Sequence, residues 1–266
     1  IFDPYEFQGL AHFLEHMLFL GSKKYPQENY FEKKIKEFGG NDNAYTTDFN
    51  TVYYFDILSD NLEEVLDIFS RFFIDPLFDI NSVNREINAI NSEHEKNINN
   101  DWWRIDHLIS LLSKEKSDIN KFGTGNLKSL KKKNIREAMI KFYNKYYRSE
   151  NMTLSIISNI KINKLKKMTE NIFSNIPYKK ASKMILNKPF FNKKPKYYQI
   201  IPSSDINYLI YFWEFPLYTE FIKNNELLFI SHIFTDNGEK SLYKILMKKE
   251  LIKSLSIDYQ EKGIFS

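Results

Sequence analysis

The 266 residues carry 38 lysines and arginines against 34 aspartates and glutamates, a formal charge of +4; the basic runs Lys131–Lys133 and Lys193–Lys194 are short solvated stretches rather than a nucleic-acid surface. At 42% hydrophobic, 27% charged and 16% aromatic, the composition supplies a sizeable core, and no apolar run approaches the roughly 20 residues of a membrane-spanning helix. Cysteine is absent, so disulfides are excluded and any metal site must use histidine and carboxylate, a donor set that favours catalytic over structural zinc.

In chain order, Leu10, Phe13, Leu14, Met17 and Leu18 recur at spacings of one, three and four, which predicts a helix with one buried face, stopped at Gly21. His12 and His16 fall one turn apart on it, so both rings can reach one ion. Glu15 lies within a turn of both, where a general base for the metal's water belongs. The alternative is a coincidental pair of ordinary histidines, and a third ligand distinguishes the two. A turn over 21–26 leads to a second helix from Glu28 to Phe38, with Phe31, Ile35 and Phe38 inward, Pro26 at its entry and Gly39-Gly40 at its end. Residues 43–47 and 51–57 are β-branched and aromatic and predict a hairpin around Asp48-Phe49-Asn50. Asn61 is placed to cap a helix that runs through Phe73 and breaks at Asp75-Pro76.

From Ser82 to Leu112 there is neither Pro nor Gly, which predicts one long helix or two with a kink near Asn97–Asn100. Ile87, Ile90, Trp103, Leu108 and Leu111 are expected to face the core. Glu86 and Glu93, two turns apart, share a face; two solvated glutamates are the plainer reading. Phe122-Gly123-Thr124-Gly125-Asn126 is a glycine loop without the lysine of a phosphate loop, so no nucleotide role is assigned. Helices are expected over 134–146 and 162–172, a strand over 152–157, and a Lys- and Pro-rich linker over 177–195. Beyond it, strands at 197–201 and 208–213 and helices at 224–234 and 240–249 read as the opening of another α+β unit. Starting with Ile beside its most informative motif, and ending on a strand-like Ile264-Phe265-Ser266, the chain reads as a piece of something longer.

The inverted motif His12-Phe13-Leu14-Glu15-His16 is the inverzincin signature. Together with its surroundings from Gly9 to Pro26, with Asn43-Ala44-Tyr45-Thr46, with Asn91 to Asn97 and with the 122–126 loop, it resembles the insulysin branch of the pitrilysin family of zinc metallopeptidases. The likeness runs from about Gly9 to Phe173 and more weakly beyond. It implies an α+β fold with a mixed, mostly antiparallel sheet and helices packed on one face. Residues 1–185 would form the catalytic domain, without its opening strands, and 186–266 the start of a second, non-catalytic one.

The resemblance implies one zinc ion per chain on His12, His16 and Glu93, with Glu15 as general base, Glu86 supporting the site, and Asn43, Ala44 and Tyr45 as an edge strand that pairs with an extended peptide. His94 would point about 100° away from Glu93 and out of the ligand set. The fold family closes two halves around a chamber, so the expected partners are peptide substrates and a C-terminal half outside this chain; a homodimer is compatible, and nucleic acid and membrane are not expected. That half would supply the Arg and Tyr that polarise the substrate carbonyl, so this chain alone is expected to bind zinc and cleave poorly. The stretch Asn237–Ser241 is less glycine-rich than in insulysins, which puts a groove for the substrate N-terminus in question. The lack of cysteine favours a reducing compartment without choosing between cytosol and organelle; a cytoplasmic location is the expectation, with an organelle as the alternative. The rival reading is a zinc-free, catalytically inactive scaffold or binding subunit.

Overall fold

The computed structural model describes residues 1–178, 191, 194, 196–214 and 225–258. Backbone packing divides the chain into two units, 1–208 and 209–266.

The first unit is built around α1 (Leu10–Leu18), whose Leu10, Phe13, Leu14, Met17 and Leu18 are almost wholly buried, as their spacing predicts. The helix opens on Gly9 at φ 88°, a left-handed conformation that glycine adopts without strain. With no side chain at that cap, the buried Asp3 serves instead. Its carboxylate accepts from the N–H groups of Gly9 (2.7 Å), Leu10 (3.0 Å) and Ala11 (2.9 Å).

α2 (Tyr30–Glu37) follows a turn, later than Pro26 would place it, and buries Phe31 and Ile35. β1 (Asn41–Thr46) and β2 (Thr51–Asp56) form the expected antiparallel hairpin, with Ala44 opposite Tyr53 and Thr46 opposite Thr51. α3 (Leu62–Ile74) sends Val65, Ile68, Phe69 and Phe72 into the core beside α1. Asn61 does not cap it by side chain; it ends a short 3₁₀ turn, and Glu63 and Glu64 supply negative charge in the first helical turn.

The long apolar-periodic stretch resolves into α4 (Ile80–Asn97) and α5 (Asp101–Leu112). Asn100 makes the break, its side chain accepting from the N–H groups of Trp102 and Trp103. Ile87 and Ile90 of α4 are buried as expected, but Trp103 (46% exposed) and Leu111 (62%) of α5 are not. Periodicity says which residues share a face and not what covers that face. α5 is held instead at its polar start. Asp101 accepts from Ser203 N (3.0 Å) and Ser204 Oγ (3.0 Å) and pairs with Arg104 (2.7 Å). Those bonds, the Ser203 N–H first, hold its carboxyl down at about 2.

α6 (Leu127–Leu130), α7 (Ile135–Tyr146) and α8 (Ile162–Phe173) follow. α7 packs on α1 through Met139 and Tyr143, and α8 packs on α3 through Leu165 and Met168 against Leu62 and Leu66. Residues 152–157, 197–201 and 208–213, expected as strands, form no ladder among the described residues. Alternation marks a chain suited to a sheet, but a strand also needs a neighbour to bond. Of the second unit, α9 (Glu226–Thr235) and α10 (Leu242–Lys248) are described. Most of the linker stretch, Asn224 and the final residues fall outside the description.

Candidate metal centre

On the face of α1 opposite its buried stripe, the rings of His12 and His16 lie with centroids 4.8 Å apart and planes perpendicular. α4 crosses α1 there and brings Glu93 to both. Its Oε2 is 3.5 Å from His12 Nε2 and 3.8 Å from His16 Nε2. One donor atom from each of the three residues lies within 4.8 Å of the others. Two imidazoles and a carboxylate at that spacing form a half-buried set fit for one divalent ion, with small side-chain adjustments bringing all three into bonding range.

Glu86, two turns before Glu93, lies 3.5 Å from His16 Nδ1, on the far side of that ring from Glu93. Its other oxygen is 3.7 Å from Arg85 Nε. Burial works against charge on His16, but the hydrogen bond that its ring donates to Glu86 and the carboxylates of Glu15, Glu86 and Glu93 outweigh it, and the net shift is upward.

Glu15 is 6% exposed and accepts a 2.5 Å hydrogen bond from Thr46 Oγ1. Burial pushes its carboxyl above the ordinary range. The Thr46 bond and the two histidines pull the other way, and Glu93 adds to the rise. Thr46 is the last residue of β1, so Asn43, Ala44 and Tyr45 run directly toward Glu15. β1 pairs with β2 on one edge, and its other edge has no strand beside it among the described residues. Ala44 N donates to Asn43 Oδ1 (2.8 Å), and Tyr45 stands half-exposed against Tyr54.

The structure thus brings His12, His16, Glu15, Glu86 and Glu93 into one site and leads Asn43–Tyr45 up to it. His94 stays out, its ring 5.0 Å from that of Phe122. Two contributors are not visible in the sequence: Thr46, which is one of several threonines in a hairpin, and Thr124, whose carbonyl meets His12 Nδ1 at 2.7 Å. A main-chain oxygen has no side-chain signal to read. In the second unit, residues 238–241 line an open hollow of about 520 Å³ with His232, Ile233 and Asp236, and a β-carbon at Gly238 would meet Asp236 Oδ2 at 2.6 Å.

An inverted His-x-x-Glu-His helix completed by a glutamate from a second helix defines a peptidase class. Residues 1–116 match the family model described as insulinase (peptidase family M16), and 134–266 match that of the peptidase M16 inactive domain. The chain belongs to the M16 peptidase family. It is 36% identical to the insulin-degrading enzyme of Bos taurus over 98% of its own length and 26% of that enzyme's, and 34% identical to the A-factor-processing enzyme of Saccharomyces cerevisiae over 96% and 26%. The crystal structure of pitrilysin superposes with a TM-score of 0.82 at 26% identity, covering 96% of this chain and 28% of pitrilysin. The chain spans about a quarter of the length of these relatives.

Proposed function

We propose that the chain carries the zinc-binding catalytic domain of a metalloendopeptidase that hydrolyses small unfolded peptides, with residues 1–185 as that domain and 186–266 beginning a non-catalytic one. The observation that carries this reading is the meeting of His12 Nε2, His16 Nε2 and Glu93 Oε2 within one ion's reach. His12, His16 and Glu93 would hold the zinc, which would supply the Lewis acidity that makes water a nucleophile near neutral pH.

The other roles belong to side chains. Glu15 accepts the water's proton and returns it to the departing amine; its raised carboxyl makes it a better proton acceptor, and Thr46 fixes which oxygen faces inward. Glu86 orients His16 through Nδ1. The edge of β1 that has no strand beside it among the described residues offers main-chain hydrogen bonds to an extended peptide, which binds many sequences because those bonds do not read side chains. Groups that polarise the scissile carbonyl come from a C-terminal half beyond this chain, so turnover by the 266 residues alone is low.

The test is metal content. The purified chain, dialysed against zinc and then buffer, should retain about one zinc per chain by atomic emission. His12→Ala and Glu93→Ala should each abolish that retention, while Glu15→Gln should keep it. Less than about half an equivalent in the unsubstituted chain would favour the inactive scaffold instead.

A further inference from the structure

Beyond the Thr124 carbonyl on His12, the glycine loop at 122–126 has no role in the chemistry above, yet it is tied to both helices that carry the candidate ligands. At its start, Phe122 N donates to Gln8 Oε1 (2.7 Å), two residues before α1. Just past its end, Leu127 N donates to Asn91 Oδ1 (3.1 Å) on α4, two residues before Glu93. Between these ties, Gly125 at φ 82° lies against Gly9 at φ 88°. A β-carbon on Gly9 would fall 2.3 Å from Gly125 Cα, and one on Gly125 would fall 2.7 Å from Leu130 Cδ1 and 3.3 Å from Gly9 Cα. The two backbones meet only because neither residue has a side chain. That contact sets Thr124 so that its carbonyl oxygen lies 2.7 Å from His12 Nδ1.

A carbonyl oxygen can only accept. The proton of a neutral His12 ring therefore sits on Nδ1, and Nε2, the atom 3.5 Å from Glu93, presents its lone pair. We propose that Phe122, Thr124, Gly125 and Leu127 form a clip that spaces α1 from α4 and holds His12 as the Nδ1–H tautomer, with the Gly9–Gly125 contact as its seat. Thr124 acts through its main chain as a positioning residue for His12. The inference rests on the zinc reading for its purpose, but its geometry stands apart from it.

Gly123 supplies an internal control: a β-carbon there would meet nothing within 4 Å, and its φ is not in the left-handed range. In the metal-free 266-residue chain at pH 8, long-range ¹H–¹⁵N spectra, with His12 assigned through His12→Gln, should show Nδ1 protonated. Gly9→Ala and Gly125→Ala should shift His12 toward a mixture of tautomers and weaken zinc binding by about 10- to 100-fold in competition with a chromophoric chelator. Gly123→Ala should leave both readouts at the level of the unsubstituted chain. Asn91→Ala, which loosens the tie without forcing a clash, should weaken zinc binding in the same direction.

If Gly9→Ala and Gly125→Ala fold with unchanged circular dichroism, tautomer and zinc affinity, the clip is refuted. An Nε2–H tautomer in the unsubstituted chain refutes it as well, even where both glycine variants fail to fold. Absence of zinc binding by the unsubstituted chain, with the Nδ1–H tautomer in place, sinks the peptidase reading and leaves the clip standing.

Discussion

Glu15 is the residue whose ionisation the fold resists most visibly at the site. Its folded carboxyl titrates above the ordinary value of 4.5, chiefly through burial. A carboxyl raised in this way adds stability that is fully present below the unfolded value and lost as pH rises through the folded one. Above the unfolded value the metal-free chain therefore holds the Glu15 carboxyl at a cost, and Glu15→Gln, which keeps an acceptor for Thr46, should remove it. Urea denaturation should find Glu15→Gln the more stable protein at pH 7, with the gap closing below pH about 4. Equal stability at pH 7 would mean that the Thr46 bond and the histidines compensate the burial in full. The relation of Glu15 to His12 and His16 was legible from helical phase alone. Glu93 was legible only as one of two glutamates on a face, and the resemblance chose it. Thr46 could not be found, because its place beside Glu15 depends on how the hairpin packs on α1.

At the scale of elements, α1 is where cap, core and site meet. Its first N–H groups are served by one carboxylate six residues upstream of Gly9. Asp3→Ala should thus destabilise the chain by about 2 kcal/mol, the upper end of what a lost cap costs, read from urea midpoints. A change below a few tenths would show that water replaces the carboxylate without loss. Element boundaries were mostly readable where apolar spacing was strong, as in α1, α3 and α8. Capping was not: Asn61 has the right chemistry in the wrong geometry, whereas Asp3, remote from the helix start, has neither a motif nor a spacing to announce it. For α5, the sequence correctly marks an apolar face, but its covering is a tertiary fact, and Trp103 and Leu111 remain outside.

For the whole molecule, the lasting feature is apolar surface. Ile157 is 98% exposed, and Leu154, Trp102, Trp103 and Leu111 also stand open in the first unit. Scattered apolar residues are ordinary on a surface, but indole rings and aliphatic side chains in these numbers bind hydrophobic dyes. The folded chain should enhance 8-anilinonaphthalene-1-sulfonate fluorescence at concentrations where sedimentation shows a monomer. A response no larger than that of a well-covered globular control would mean that these side chains pack in solution. The strand-like segments tell the same story from the backbone: their β-type residues were readable, but a ladder requires two partners and, among the described residues, only the hairpin supplies both.

His12, Glu15 and His16 share a nine-residue cylinder with the almost wholly buried Leu10, Phe13, Leu14, Met17 and Leu18. A turn of 20° about the axis carries side-chain tips roughly 6 Å from it through about 2 Å, whereas coordination bonds tolerate only about 0.2 Å. Repacking Leu14 or Met17 would therefore retune the metal preference of the proposed centre from behind, with no candidate ligand replaced: changing the choice of ion there would begin in the hydrocarbon interior.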